Sequence, residues 1–250
     1  MIKIRDLCKQ FGKHRVLNNL SLDIQKGETL VILGRSGTGK SVLLKHIIGI
    51  LAPDSGTIVN ETPSIQMGML FQGAALFDSM TVGENAAFFL NEHGDLERGE
   101  KFAPDEIESK VTSALGMVGL AGTEHKMPSE LSGGMRKRAA LARLIVYAPK
   151  VLLYDEPTTG LDPITAMQIN ELIVKTQGEL QATSIVVTHD ILSALYVADR
   201  LALMDEGKIA YIDTPENFLK IDHPIINFLK KTLTHDPLKI REMVPHSIDR

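Results

Sequence analysis

The chain has 250 residues, of which 44% are hydrophobic and 23% are charged, and its formal net charge is −4. These values are typical of a soluble globular protein with one large α/β domain or one domain that carries an inserted subdomain. The acidic balance gives no electrostatic reason to expect nucleic acid as a partner, and the single cysteine, Cys8, excludes an internal disulfide and favours a reducing compartment.

The first elements along the chain are short strands followed by a glycine-rich loop. Apolar patterns at residues 2–7, 20–24 and 29–33 predict three strands. The third strand is followed by a loop of the pattern G-x-x-x-x-G-K-[ST] and by a helical pattern over residues 41–50. The residues of this phosphate loop are Gly34, Arg35, Ser36, Gly37, Thr38, Gly39, Lys40 and Ser41.

The phosphate loop predicts that the chain binds a nucleoside triphosphate. Its glycines let backbone N–H groups surround phosphate oxygens, and the following helix adds partial positive charge at its N-terminus. Lys40 would reach the β- and γ-phosphates, and the hydroxyl of Ser41 would bind Mg²⁺. The alternative is a loop that merely turns a strand into a helix, but the flanking elements favour the nucleotide site.

The remaining elements alternate between strands and helices. The patterns predict strands at 57–60, 65–71 (ending at Gln72), 151–154 and 184–188, helices after Pro163 and from Asp190, and closing strands near Leu201 and Ile209. Helical patterns dominate residues 78–129, with a polar break at 91–100. This alternation predicts a mainly parallel sheet covered on both faces, with the helical region as an inserted subdomain.

Two adjacent carboxylates follow the strand at residues 151–154. Mg²⁺ prefers oxygen ligands, so Asp155 would hold the ion directly or through water. Glu156, one residue further on, would polarise a water molecule for attack on the γ-phosphate. Adjacent acids at a strand end are also common in loops, and the upstream phosphate loop is what favours the catalytic interpretation.

A second candidate for a phosphate-binding helix end lies at Ser132, Gly133 and Gly134. Ser132 is a good N-cap, and the two glycines expose backbone N–H groups at the start of a helix predicted over residues 135–147. Considered alone, this segment is equally well explained as a simple helix cap.

The sequence Leu-Ser-Gly-Gly at residues 131–134 resembles the signature of the ATP-binding-cassette (ABC) ATPases. The resemblance extends to Gln72, to Asp162 and to His189 after the strand at 184–188. It also includes Phe11, at the position where the family usually stacks an aromatic ring on adenine. The motifs have the family's order and spacing over residues 1–220.

This resemblance implies an α/β fold: a P-loop NTPase ABC cassette with an antiparallel β subdomain at its edge and an inserted helical subdomain. The implied ATPase domain comprises residues 1–230, with the helical subdomain at 78–130 and the signature at 131–135. Residues 231–250 would form a C-terminal extension.

The resemblance also implies a homodimer in which two cassettes enclose ATP and Mg²⁺ head to tail. The phosphate loop of one subunit would be covered by Ser132, Gly133 and Gly134 of the other. Gln72 would complete the Mg²⁺ shell with Ser41 and Asp155, His189 would hold Glu156 and the attacking water, and Asp162 would communicate across the interface. Taken alone, His189 would be interpreted as a surface histidine and Gln72 as an ordinary polar residue.

Two residues depart from the family pattern. Phe11 replaces the commoner tyrosine, which keeps the stacking face and loses the hydroxyl. Met135 replaces the usual glutamine and removes a hydrogen-bonding side chain near the partner's nucleotide. Neither change is expected to prevent catalysis.

The segments at residues 80–90, 131–143 and 162–165 resemble those of Mla-type cassettes, which power phospholipid transport between bacterial membranes. This implies a cytoplasmic protein on the inner membrane, bound to integral permease subunits and to accessory subunits of an Mla-type complex, with a role in outer-membrane lipid asymmetry. The basic residues at 136–138 would equally fit a solvated helix face.

Three phenylalanines, Phe77, Phe88 and Phe89, are candidates for the surface that docks on the permease. The alternative is that they are buried in the core of the helical subdomain. Residues 225–231 predict a short amphipathic helix, and residues 232–250 would be either a frayed end or an arm that reaches a neighbouring subunit.

The alternative functions are an ABC transporter ATPase for another substrate and a non-transport ABC ATPase associated with ribosomes or DNA. Non-transport members usually pair two cassettes or carry coiled coils or zinc sites, and no such features are evident in this sequence. A binding module without turnover would lack the acid at Glu156. The first residues contain no apolar core of signal-peptide length, and no run approaches 18 uncharged apolar residues, so we expect that the chain does not cross a membrane by itself.

Overall fold

A six-stranded sheet forms the centre of the computed structural model, which describes residues 1–96 and 98–232. Its strands are β3 (Thr29–Leu33), β5 (Met67–Leu70), β6 (Val151–Asp155), β7 (Thr183–Thr188), β8 (Arg200–Asp205) and β9 (Lys208–Asp213). They lie in the order β5-β6-β7-β3-β8-β9, and all neighbours are parallel except β8 and β9. The predicted mainly parallel sheet is therefore confirmed.

A separate three-stranded antiparallel sheet contains the first two strands of the chain. It consists of β1 (Ile2–Phe11), β2 (His14–Ile24) and β4 (Ser55–Asn60), in the order β2-β1-β4. The β1–β2 pair is a hairpin in which Phe11 lies opposite His14. Both strands are longer than the predicted segments at 2–7 and 20–24, because polar residues on the exposed face interrupt the apolar pattern.

Two apolar cores lie on opposite faces of the central sheet. Along β3, Leu30 and Ile32 belong to one core and Val31 and Leu33 to the other, as the two-residue period of a strand requires. The first core also contains residues of the three-stranded sheet and of α1 (Lys40–Ile47), and the second contains residues of the remaining helices. Because both faces are covered, the strand is a continuous apolar run, which is why it could be predicted.

Helices α2 to α6 cover the second core. They are α2 (Val82–His93), α3 (Pro104–Met117), α4 (Gly133–Ile145), α5 (Pro163–Leu180) and α6 (Ile191–Val197), and they are followed by α7 (Pro215–Phe218) and α8 (Pro224–Thr232). Helix α4 packs against α2, α3 and α5 and against β5 of the sheet. It therefore connects the helical region to the strand that precedes Gln72.

The predicted helical subdomain at 78–130 contains α2 and α3, while α4 lies after its boundary and packs on both. The predicted domain boundaries remain predictions. Residues 233–250 of the predicted C-terminal extension lie outside the described residues. Within residues 1–96 and 98–232, no helix combines the length and the apolar character that a membrane span needs.

Several boundaries differ from the sequence prediction for local reasons. The strand predicted at 65–71 begins as a 3₁₀ turn at Ser64–Gln66, so only Met67–Leu70 pairs with the sheet. The helix predicted to reach residue 50 ends at Ile47, two residues before Gly49, whose φ of 86° does not continue a right-handed helix. Helix α2 extends into the predicted polar break and ends at His93.

Candidate functional site

The strand register brings three loops to one edge of the central sheet. Leu33, at the end of β3, pairs with Thr188 of β7, and Asp155, at the end of β6, pairs with Val187. The phosphate loop, Glu156 and His189 each follow one of these strand ends. Since carboxyl ends of parallel strands meet at the same edge, residues far apart in sequence become neighbours there.

The phosphate loop has the backbone that its glycines predict. Gly37 has φ of 81° and Gly39 has φ of 101°, both in the left-handed region that glycine adopts without strain. There is also no room for a side chain at two of these glycines. A Cβ atom on Gly39 would lie 2.9 Å from the Val16 side chain, and one on Gly34 would lie 2.7 Å from the Met204 carbonyl oxygen. Side chains at Gly34 and Gly39 would therefore displace the loop from the neighbouring strands.

Lys40 begins α1 and is only 5% exposed. Its Nζ donates hydrogen bonds to the carbonyl oxygens of Gly34 at 2.8 Å and Arg35 at 3.0 Å, and it lies 3.5 Å from Glu156 Oε1. Burial lowers the pKa of Lys40, while the carboxylates of Glu156 and Asp155 oppose that shift. A cation held by the loop and by a carboxylate stands at the place where phosphate oxygens would bind.

The predicted magnesium ligands Ser41 and Asp155 lie in direct contact. The Ser41 hydroxyl donates to Asp155 Oδ1 at 2.6 Å, across 114 positions of sequence. A hydroxyl and a carboxylate at this separation fit the oxygen ligands and small radius of Mg²⁺. Gln72, the third predicted ligand, is exposed and lines the same cavity as Ser41. The donor set is therefore compatible with Mg²⁺.

Glu156 lies at the centre of a hydrogen-bonded cluster. Its Oε2 atom accepts from His189 Nδ1 at 2.9 Å, from the hydroxyl of Thr159 at 3.1 Å and from that of Thr188 at 3.4 Å. Its φ of 49° is left-handed, which is uncommon for a residue with a side chain. Several partners thus fix the direction of a carboxylate whose backbone is strained.

Lys40, Ser41, Glu156 and His189 line a cavity of about 970 Å³. Phe11 lies at its wall with 47% of its surface exposed, which leaves a ring face available for stacking. The volume suits a nucleotide, since ligand pockets typically measure about 300–1,000 Å³. The predicted site residues that line it are Phe11, Gly34, Arg35, Ser36, Gly37, Gly39, Lys40, Ser41, Gln72, Glu156 and His189.

Other predicted site residues do not line the cavity. Ser132 is exposed at the start of α4, where its hydroxyl accepts a hydrogen bond from the Met135 N–H at 3.3 Å. Asp162 caps α5, accepting from the N–H groups of Ile164 and Thr165 at 3.1 and 3.0 Å. The remaining ones are Thr38, Gly133, Gly134 and Asp155. A single chain therefore does not bring the residues 132–134 to its own phosphate loop.

The residues 132–134 and Asp162 do belong to neighbouring helix ends. Gly134 is buried against Thr165, and a Cβ on this glycine would lie 2.5 Å from the Thr165 Cγ2 atom. Thr165 in turn donates its hydroxyl to Asp162 Oδ2 at 2.6 Å. The N-termini of α4 and α5 thus form one surface.

Six residues of the cavity wall were not predicted as site residues: His14, Val16, Leu33, Val42, Thr159 and Ile225. Leu33 and Val42 directly flank the predicted phosphate loop. His14 and Val16 lie on β2, where His14 pairs with Phe11 and Val16 lies at a register shift of the hairpin. A hairpin prediction for residues 8–18 would have located His14, because cross-strand partners share one surface. Thr159 and Ile225 carry no comparable signal.

The model of one protein family, described as ABC transporter, matches residues 17–159. Among curated proteins, the chain is similar to Protein TRIGALACTOSYLDIACYLGLYCEROL 3, chloroplastic, of Arabidopsis thaliana, with 39% identity over 90% of this chain and 72% of that protein. It is also similar to the probable ribonucleotide transport ATP-binding protein mkl of Mycobacterium leprae, with 40% identity over 90% of this chain and 67% of that protein.

Solved structures of ABC cassettes are also similar to this chain. CbiO1 of Clostridium perfringens, described as part of the ABC transporter complex cbiONQ, has a TM-score of 0.78 and 30% identity over 97% of this chain and 98% of that chain. The ATP-binding cassette MJ0796, solved as a dimer bound to ADP and Pi, has a TM-score of 0.75 and 27% identity over 86% of this chain and 98% of that one. The predicted ABC cassette fold is confirmed.

Proposed function

Because this chain is a member of the ABC transporter family and contains that family's ATPase domain, we propose that it hydrolyses ATP within a head-to-tail homodimer and thereby drives a membrane permease. ATP would bind in the cavity at the edge of the central sheet. Phe11 would stack on the adenine, the phosphate loop would bind the phosphates, and Ser41, Asp155 and Gln72 would hold Mg²⁺.

The observation that carries this proposal is the separation of two sets of residues. Lys40, Ser41 and Glu156 line one cavity, whereas Ser132 and Gly133 are exposed at another helix end outside its wall. An exposed helix N-terminus with two glycines is suited to bind an anion, because its N–H groups have no intrahelical acceptors. A second copy of the chain would bring this helix end to the γ-phosphate. MJ0796, a similar protein, is dimeric in its solved structure with ADP and Pi.

Hydrolysis would be directed by Glu156 and His189. The contact between His189 Nδ1 and Glu156 Oε2 at 2.9 Å orients the carboxylate toward the cavity. Glu156 would accept a hydrogen bond from the attacking water as a general base, while Lys40 would neutralise charge on the phosphates. Mg²⁺ bound by Ser41 and Asp155 would supply electrostatic stabilisation of the phosphate oxygens.

A permease would contact the aromatic residues near Gln72. Phe77 is 41% exposed and its ring lies 4.8 Å from that of Phe88, while Phe89 stacks on Tyr147 at 3.8 Å. Phe88 and Phe89 are half-buried, and a partly exposed aromatic cluster of this kind is suited to contact another protein. The protein would then lie on the cytoplasmic face of the inner membrane. CbiO1, a similar protein, is part of a transporter complex.

Phospholipid is the cargo that we propose, in a complex with accessory subunits of the Mla type. Support comes from the resemblance of residues 80–90 and 131–143 to Mla-type cassettes. The similarity to the relative named for trigalactosyldiacylglycerol, a lipid, also supports it. The relative named for ribonucleotide transport makes a nucleotide cargo the second candidate. Lipid analysis of the complex purified with its permease would separate the two.

Glu156→Gln tests the ATPase proposal. The amide keeps the shape of the side chain but is no longer a base, so nucleotide binding should persist while turnover falls by about a hundredfold or more. The ATP-bound variant should accumulate as a dimer, measured by size-exclusion chromatography with light scattering. Hydrolysis at the wild-type rate would exclude Glu156 as the base.

A further inference from the structure

Lys137 is a buried cation that contacts two loops of the site without lining its cavity. It lies on α4, three residues after Gly134, and is 6% exposed. Its Nζ donates hydrogen bonds to the carbonyl oxygen of Gln72 at 2.5 Å and to that of Glu156 at 3.3 Å. Buried lysines are rare in proteins unless their charge is compensated. One ammonium group thus joins the segments that follow β5 and β6.

Both segments have strained backbones. Glu156 has φ of 49°, and Ala74 and Ala75, which closely follow Gln72, have φ of 65° and 52°. Residues with side chains keep such left-handed conformations only where surrounding contacts fix them. The Glu156 N–H donates to the Val187 carbonyl at 3.0 Å, so β7 holds the peptide group before Glu156 and Lys137 contacts the peptide group after it.

A second cation of α4 holds the remainder of the loop from Gln72 to Phe77. Arg143 donates to the carbonyl oxygens of Ala75 at 2.7 Å and Ala74 at 3.3 Å. Its guanidinium also lies 5.5 Å from the centre of the Phe77 ring. Helix α4 therefore contacts this loop near both ends, and Lys137 extends the connection to Glu156.

The electrostatic surroundings explain why a charged donor is tolerated at this buried position. Burial lowers the pKa of Lys137, and the negative charges of Asp155 and Glu156 oppose that shift. The ammonium group can donate three hydrogen bonds, which suits two separate carbonyl acceptors. A neutral side chain of the same length would leave the Gln72 carbonyl without this donor.

We propose that Lys137 is a positioning residue, which ties the Gln72 and Glu156 backbones to α4, the helix that Ser132 caps. Through it, a displacement of α4 would move the side chains of Gln72 and Glu156 together. The N-terminus of α4 would meet the nucleotide that the partner binds. Lys137 would thus couple the position of α4 to Gln72 and Glu156, which would lie around the nucleotide that the same chain binds. The inference rests on the proposed roles of Gln72 and Glu156 in hydrolysis.

Lys137→Met removes the donor and keeps an unbranched side chain that is only one atom shorter. We expect kcat for ATP to fall by at least about tenfold while the dissociation constant for ATP changes less than about threefold, since misplacement affects the reacting geometry more than binding. Hydrogen exchange should become faster in peptides covering residues 72–77 and 154–160. Lys137→Arg, which keeps the charge and the donors, should retain kcat within about fivefold of wild type.

The matched control is Lys175→Met, which makes the same change on a side chain that is 52% exposed on α5. It should alter neither kcat nor exchange. Unchanged exchange in both peptides of Lys137→Met would overturn the inference whatever the activity, as would a fall in kcat of less than about tenfold. Exchange is measured without nucleotide, so a failure of the tie between α4 and the two loops is distinguishable from a failure of ATP hydrolysis itself.

Discussion

The partners of Lys40 are ones that a phosphate group would readily replace. Two of them are backbone carbonyl oxygens of the phosphate loop. The third is Glu156, whose Oε1 atom lies 3.5 Å from Lys40 Nζ. Hydrogen bonds between ammonium and phosphate are charge-assisted and stronger than those to neutral carbonyls. A triphosphate would therefore draw Lys40 away from Glu156 and leave that carboxylate to His189 and the threonines.

Lys40→Ala should weaken ATP binding by at least about a hundredfold, because it removes the mobile cation from the β- and γ-phosphates. Equilibrium binding of a fluorescent ATP analogue measures the effect. Lys45→Ala, on the same helix but outside the cavity wall, is the matched control and should bind normally. Equal affinities for the two variants would mean that Lys40 does not contact the phosphates.

The N-terminus of α4 combines a capping role with a proposed role in the partner's site, and the two can be separated. The Ser132 hydroxyl caps the helix through the Met135 N–H. Losing this cap should cost about 1 kcal/mol of stability. Ser132→Ala and Ser132→Arg both lose it, whereas only arginine would obstruct the surface of a twin subunit.

Ser132→Arg should leave ATP binding by the single subunit intact and abolish hydrolysis. Ser132→Ala should lower the melting temperature by a similar amount and keep much of the activity. Ser113→Arg, at an exposed position of α3, controls for the added charge. Comparable ATPase rates in Ser132→Arg and Ser113→Arg would argue against a role for this helix end in catalysis.

Predictability differs between the elements. The buried strands β3, β6 and β7 were predicted nearly residue by residue, because strands covered on both faces are continuous apolar runs. Strands β1 and β2 of the hairpin were predicted too short, because polar residues on their exposed face interrupt the apolar pattern. The wall residues His14 and Val16 lie in the part of β2 that was missed.

For the site, motif spacing predicted which residues would line the cavity but not how they are held. The contact of Ser41 with Asp155 follows from two motifs whose chemistry requires proximity. The contacts of Lys137 depend on how α4 lies across two loops, and a lysine in a basic run gives no sign of burial. Tertiary packing decides such positions.

The proposed homodimer can be tested most directly, because residues of both subunits would form each ATP site. In a mixed dimer of Lys40→Ala and Ser132→Arg, one composite site carries both changes and the other carries neither. Mixing the two inactive variants should therefore restore up to about a quarter of the wild-type ATPase rate, since half of the dimers would be mixed and each would have one intact site. No recovery at any mixing ratio would contradict the shared site.

The left-handed backbone of Glu156 limits how this site could be rebuilt elsewhere. Its N–H is bound by Val187 of one strand and its carbonyl oxygen by Lys137 of a distant helix, so the acid depends on three segments of the chain. Grafting the sequence of β6 and Glu156 onto another parallel sheet would carry the carboxylate over without its orientation. A designed hydrolase would have to include the neighbouring strand β7 and the crossing helix α4 together with β6.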